Sequence, residues 1–99
     1  MRLKDKVAII VGAGQTPGET VGNGRATAIL FAREGAKVMV ADRNLPSAQD
    51  TVSMIEKEGG SAVATEVDVT DEPSLIKMVA DCITRWGRID VLHNNVGFS

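Results

Sequence analysis

Two kinds of residue in the first half of the chain could do chemistry together. Gly12, Gly14, Gly18, Gly22 and Gly24 crowd one short stretch, and Asp42 closes the apolar run that comes next. Glycine has no Cβ, so its backbone N–H groups can approach an anion closely, and it accepts positive φ in a tight turn. A helix opening straight after such a loop aims its unpaired N–H groups and the positive end of its dipole at the same anion. That interaction is worth roughly 0.3–1 kcal/mol when exposed and up to about 2 when partly buried. The loop therefore needs no basic side chain, and none lies between Gly12 and Gly24; Arg25 follows in the first helical turn. A carboxylate at the end of the next strand suits the hydroxyls of a ribose. Pyrophosphate on the glycines and sugar on the acid amount to a dinucleotide site.

The elements that must position these groups are legible on either side of them. Val7–Val11 is short, apolar and rich in β-branched residues, the pattern of a strand buried on both faces. After the glycines, residues 25–34 read as a helix with Ala26, Ile29 and Leu30 on one face, stopped by Gly35. Residues 37–41 form a second strand, ending on Asp42. Strand, glycine loop, helix, strand and acid, in that order, complete the dinucleotide-binding fingerprint. Gly12, Gly14, Gly22, Asn23, Gly24 and Asp42 are thus candidate cofactor ligands, while Gly18 reads equally as a plain loop residue. A carboxylate bonded to the ribose of NAD gains about 1.5–3 kcal/mol. Against a 2′-phosphate it meets repulsion of about 4 kcal/mol per charge pair at 4 Å and an effective dielectric near 20. Arg43 complicates this, since a basic residue here could receive that phosphate; NAD is still expected over NADP.

The same alternation continues to the end. Residues 43–46 make a turn, with Pro46 suited to an early helical position. Ala48, Val52 and Ile55 recur at helical spacing until Gly59 and Gly60. Residues 61–67 read as a third strand, followed by Asp68 and Val69. Thr70 or Asp71 can cap a third helix, with Pro73 in its first turn and Leu75, Met78, Val79, Cys82, Ile83 and Trp86 as its apolar face. Gly87 stops it, and residues 89–94 supply a fourth strand. Strands alternating with helices imply an α/β, doubly wound parallel sheet with right-handed crossovers. Helices should cover both faces of such a sheet, so residues 1–99 are expected to be the first part of one cofactor-binding domain in a longer protein.

Composition narrows the class further. Ninety-nine residues with 43% apolar content suit one domain or part of one. A net charge of −2, with no Lys/Arg cluster, argues against a nucleic-acid surface. The sole cysteine, Cys82, supports neither a disulfide framework nor a cysteine metal site, and no metal site is expected. The apolar run near the N-terminus is too short for a signal-peptide core, and no stretch approaches a membrane span, so a cytoplasmic protein is expected.

With all four strands in view, the chain resembles the N-terminal half of a short-chain dehydrogenase/reductase. Gly12, Gly22 and Gly24 resemble that family's Thr-Gly-x-x-x-Gly-x-Gly loop, and Asp42 sits where its cofactor-selecting residue ends the second strand. Asp68-Val69 is similar to the Asp-Val pair beside the adenine ring, and Asn94-Asn95-Val96-Gly97 to the Asn-Asn-Ala-Gly motif after the fourth strand. The resemblance implies a Rossmann-type sheet in the order 3-2-1-4, with Asn95 near the cofactor ribose and Asn94 and Asn95 steadying the central sheet. It also implies NAD(P)-linked oxidoreduction of an alcohol/carbonyl pair on a small alcohol or ketone, by a homo-oligomer when full length. Val11 replaces the usual Thr, Val96 replaces Ala, and nine residues separate Gly12 from Gly22 where the family has three. The excess, around residues 15–20, should lengthen the phosphate loop. The family's catalytic Ser and Tyr-x-x-x-Lys would fall beyond Ser99, and the chain contains no tyrosine. No catalytic residue is therefore assigned within it, and the segment alone is expected to be inactive.

Plainer readings stand beside several of these. Asp68 could cap a turn, and Asn94 and Asn95 could bond nearby backbone. His93 reads as a satisfied strand histidine, and Cys82 and Trp86 as core residues. A non-catalytic nucleotide-binding or redox-sensing protein on the same fold is the rival to the enzyme, and fold alone does not separate the two.

Overall fold

A computed structural model of the chain describes residues 2–12 and 23–94. The elements run β1 (Val7–Val11), α1 (Asn23–Arg33), β2 (Lys37–Asp42), α2 (Leu45–Lys57), β3 (Ser61–Glu66), α3 (Glu72–Trp86) and β4 (Val91–Asn94). The four strands form one parallel sheet in the order β3-β2-β1-β4. This is the expected Rossmann-type arrangement.

Strand alternation divides the core in two. Ala8, Ile10, Val38, Val40 and Ala62 point to one face, where Ala28 of α1 and Ala48 and Ile55 of α2 cover them. Val7, Ile9, Val11, Met39 and Ala41 point to the other, against Met78 and Cys82 of α3. The chain steps from β1 to β2 to β3 in one direction, then returns past both to place β4 beside β1. A right-handed crossover that reverses its direction of travel must put its helix on the opposite face, which is where α3 lies. Every residue of β1 is consequently buried. Ile9 and Ile10 are fully enclosed, each burial worth about 1.5–3 kcal/mol.

Gly35 closes α1 in a left-handed conformation (φ 96°). Its N–H donates to the Ala32 carbonyl at 3.0 Å and that of Ala36 to Phe31 at 3.1 Å, the paired bonds of a Schellman turn. Gly59 and Gly60 repeat the pattern on the Glu56 and Ile55 carbonyls.

Several details differ from the sequence expectations. α1 packs on the sheet through Ala28, with Ile29, Phe31 and Ala32 partly buried against the same core, whereas Ala26 and Leu30 are exposed. Small residues let the helix approach the sheet, so bulk is a poor guide to its inner face. On α3, Leu75, Met78, Cys82 and Trp86 face the sheet while Val79 and Ile83 stand exposed beside Ile76. β3 stops at Glu66, with Val67 buried just past it, and β4 begins only at Val91. Asp71 takes the N-cap position of α3 without a side-chain bond to the helix.

Candidate functional site

The chemistry-bearing residues gather at the carboxyl ends of the strands. Val11 pairs with Ala41 on one side and with Asn94 on the other, so β1 and β4 end level and β2 runs one residue further, to Asp42. Gly12 extends that ladder by donating its N–H to the Ala41 carbonyl at 2.8 Å, with φ at 77°. A side chain would be strained there. Gly12 thereby lies beside Asp42 on the adjoining strand, about 4.8 Å away by ordinary strand spacing. Gly24 is buried in the first turn of α1, whose N-terminus is at this same edge because the β1–α1–β2 crossover joins parallel strands.

Asp42 is half-buried as the last residue of β2, and its Oδ1 accepts from the Asn44 N–H at 2.9 Å. Asn44 is also the N-cap of α2, its Oδ1 accepting from the Ser47 N–H at 3.2 Å, with Pro46 in the first helical turn. The cap thus holds the backbone that follows the carboxylate. Arg43, between them, is exposed. Ser47 and α2 are tied back to α1 through Arg25, whose Nε donates to Thr51 Oγ1 at 2.9 Å and whose Nη2 donates to the Ser47 carbonyl at 3.2 Å.

On the far side of β2, the Val67 N–H donates to the Asp42 carbonyl at 3.0 Å, bringing the turn after β3 to the same rim. Asp68 Oδ1 accepts from the Thr70 N–H at 2.9 Å and from its hydroxyl at 2.6 Å. The Asp68 N–H in turn donates to Ser74 Oγ at 2.9 Å. The Thr70 hydroxyl, then its N–H, hold the Asp68 carboxyl below its ordinary value, and the charge of Arg43 adds to that. Asp68 therefore does cap its turn; one oxygen is committed to that task. Val69 is half-buried against the α3 face of the core. Asn94 ends β4, exposed and engaged with a neighbour. Gly14, Gly22, Asn95, Val96, Gly97 and the 15–20 insertion lie outside the described residues, and for Asn23 only its place at the start of α1 is given.

Sequence reasoning missed the Asn44 cap, though Asn directly before Leu-Pro was a usable signal. It also missed the Arg25–Thr51 clamp, which joins different helices and leaves no trace in spacing. His93 is half-buried opposite Ile10 and is not free, in keeping with a strand histidine. Cys82 is fully buried, with burial pushing its thiol up, and belongs to the core. Among the described residues no group of His, Cys, Asp or Glu is arranged to hold a metal ion, and no helix is long and apolar enough to cross a membrane.

This arrangement suits a dinucleotide. In an open α/β sheet, ligands bind outside the carboxyl ends of the strands where the direction of travel reverses, here between β1 and β4. Gly12, the α1 N-terminus and Asp42 all border that edge. The family model for short chain dehydrogenases matches residues 6–99. The chain belongs to the short-chain dehydrogenase family. It is similar to sorbitol dehydrogenase of Cereibacter sphaeroides, 44% identical over 96% of this chain and 34% of the relative. It is also 40% identical to 7alpha-hydroxysteroid dehydrogenase of Escherichia coli strain K12, over 98% of this chain and 36% of that one. A crystal structure of hydroxysteroid dehydrogenase from Escherichia coli superposes with a TM-score of 0.90 at 40% identity, covering 98% of this chain and 39% of the other. The chain thus spans about a third of the length of the curated relatives it matches.

Proposed function

We propose that residues 1–99 are the cofactor-binding part of an NAD(P)-dependent oxidoreductase acting on an alcohol/carbonyl pair, with NAD preferred over NADP. The observation that carries this reading is the adjacency of Gly12 and Asp42 at the carboxyl edge of the sheet, with the N-terminus of α1 beside them. Gly12, Gly14, Gly22, Asn23 and Gly24 would hold the pyrophosphate through backbone N–H groups. Asp42 would accept from the adenine ribose, Arg43 would flank it, and Asp68 and Val69 would border the adenine. Asn94, Asn95, Val96 and Gly97 would line the path toward the nicotinamide. Bound there, the cofactor would supply hydride transfer to or from the substrate carbon. The proton-exchanging Tyr-x-x-x-Lys and its Ser would come from outside this stretch, which has no tyrosine. Relatives named for sorbitol and for hydroxysteroids support a secondary alcohol or ketone as the substrate class.

The test is affinity for NAD(H) and NADP(H) in wild type and in Asp42→Ala. Wild type should favour NAD(H), and the variant should lose about ten- to a hundredfold of that affinity, the equivalent of about 1.5–3 kcal/mol. Preference for NADP(H) in wild type would overturn the assignment of Asp42.

A further inference from the structure

The two helices on one face of the sheet, α1 and α2, are tied together at both ends, and the two ties are unlike. At the amino edge Arg33 and Glu58 make an exposed bidentate pair, Nε to Oε1 at 2.7 Å and Nη2 to Oε2 at 2.8 Å. A surface pair of this kind contributes little. At the carboxyl edge the half-buried Arg25 holds one turn of α2, its Nε donating to Thr51 Oγ1 and its Nη2 to the Ser47 carbonyl. The Thr51 hydroxyl donates to that same carbonyl and closes the three groups into a ring. From the ring a short path of bonds leads to Asp42. The Ser47 N–H donates to Asn44 Oδ1, and the Asn44 N–H donates to Asp42 Oδ1. In the other direction, Arg25 belongs to the first turn of α1, next to the buried Gly24. One guanidinium thus stands between the helix end that would face the pyrophosphate and the carboxylate that would face the ribose.

We propose that Arg25 is a positioning residue: through Ser47, Thr51 and Asn44 it holds the Asp42 carboxylate at the span from the α1 N-terminus that one dinucleotide requires. The inference rests on the dinucleotide reading and deepens it. Two subsites that grasp one ligand gain affinity from being fixed beforehand, because less remains to be ordered on binding. Without the fork of Arg25 both subsites are still present, but the spacing between them loosens. Asp42 then contributes less to binding although it is itself unchanged. Lysine is no substitute, since it carries its charge as a point and lacks the two fixed donor directions of a guanidinium.

The measurement is NAD affinity of the intact protein in a double-mutant cycle between Arg25 and Asp42. In the wild-type background Asp42→Ala should cost about ten- to a hundredfold. In Arg25→Met the same change should cost less than about threefold. Arg25→Lys should behave as Arg25→Met does. Thr51→Val removes the acceptor of Nε while leaving Arg25 in place, and should also shrink the cost of Asp42→Ala; Thr51→Ser should preserve it. Arg33→Met cuts the other tie, about 12 Å further along α1, and should leave both affinity and that cost as in wild type. An undiminished cost of Asp42→Ala in Arg25→Met would overturn the proposal, because Arg25 would then act independently of the ribose site. Recovery in Arg25→Lys would overturn it by showing that charge alone suffices. An equal fall in Arg33→Met would do so by assigning the effect to general helix packing. If Arg25→Met does not fold, Thr51→Val decides by the same criterion. If NAD does not bind wild type, or Asp42→Ala costs nothing in it, the reading of the site falls and this inference with it. If that cost is present in wild type and constant across the variants, the inference falls alone.

Discussion

Asp90 carries out structural work at the amino edge of the sheet that its position before β4 did not advertise. Its Oδ2 accepts from the Val7 N–H at 2.8 Å, and its own N–H donates to the Val7 carbonyl at 2.8 Å. Its Oδ1 receives Arg88 Nη2 at 2.6 Å. The Arg88 hydrogen bond first, then that from Val7, holds the Asp90 carboxyl below the usual range. A depressed folded value means the ionised form favours the native state. The stabilisation is present above the ordinary carboxylate range, near pH 4, and is lost as pH falls through the folded value. Thermal unfolding of wild type and Asp90→Asn should therefore differ most at neutral pH and converge in acid; a difference that stays constant from pH 7 to pH 2 would refute the ionic role. Gly60 makes a second prediction at this scale. A Cβ there would stand 2.7 Å from Ile55 Cγ2 and 3.3 Å from Ala32 Cβ, where α1 and α2 meet. Ile55 is fully buried, so Gly60→Ala should cost about 1–3 kcal/mol in a denaturant titration.

At the scale of elements, α1 and α2 are joined by a polar clamp within an otherwise apolar layer. Thr51 is fully buried, and its hydroxyl both accepts from Arg25 Nε and donates to the Ser47 carbonyl at 3.3 Å. Thr51→Val keeps the shape and removes that acceptor from a charged donor, which should cost about 1.5–3 kcal/mol. Thr51→Ser should recover most of it; equal losses in both variants would assign the effect to packing. The contrast with Asp42 marks what a sequence can carry. β1, β2, the start of α2 at Pro46 and the glycine stops were legible because period, turn chemistry and glycine conformation are local. So was the position of Asp42, which follows from the end of β2. The Arg25–Thr51 contact, the anchoring of Val7 by Asp90, most of the inner face of α1 and the exposure of Val79 and Ile83 on α3 were not. Each depends on which element arrives opposite, and apolar spacing says which residues could be buried without saying what covers them.

For the molecule as a whole, the exposed apolar side chains are distributed unevenly. Val91 packs into the core on the α1–α2 face, so Leu92 points to the α3 face, where it is 58% exposed. On α3, Ile76 is 60% exposed, Val79 37% and Ile83 45%. Among the described residues β4 is the last strand in the order β3-β2-β1-β4, and only β1 pairs with it. Parallel sheets are ordinarily covered on both faces, and an open edge beside exposed apolar residues is a template for association. Each Å² of that surface left in water forgoes about 25 cal/mol. Residues 1–99 expressed alone are therefore expected to associate, to unfold at low temperature or without a sharp transition, and to turn over no alcohol or ketone with NAD. Light scattering, a thermal scan and a turnover assay against a substrate panel read the three outcomes separately. Replacing Leu92 with Lys should reduce association by charging the exposed face of β4. A cooperative monomer would refute the claim about the edge, while measurable turnover would show that the reacting groups lie within these residues and overturn the reading of them as the cofactor-binding part alone.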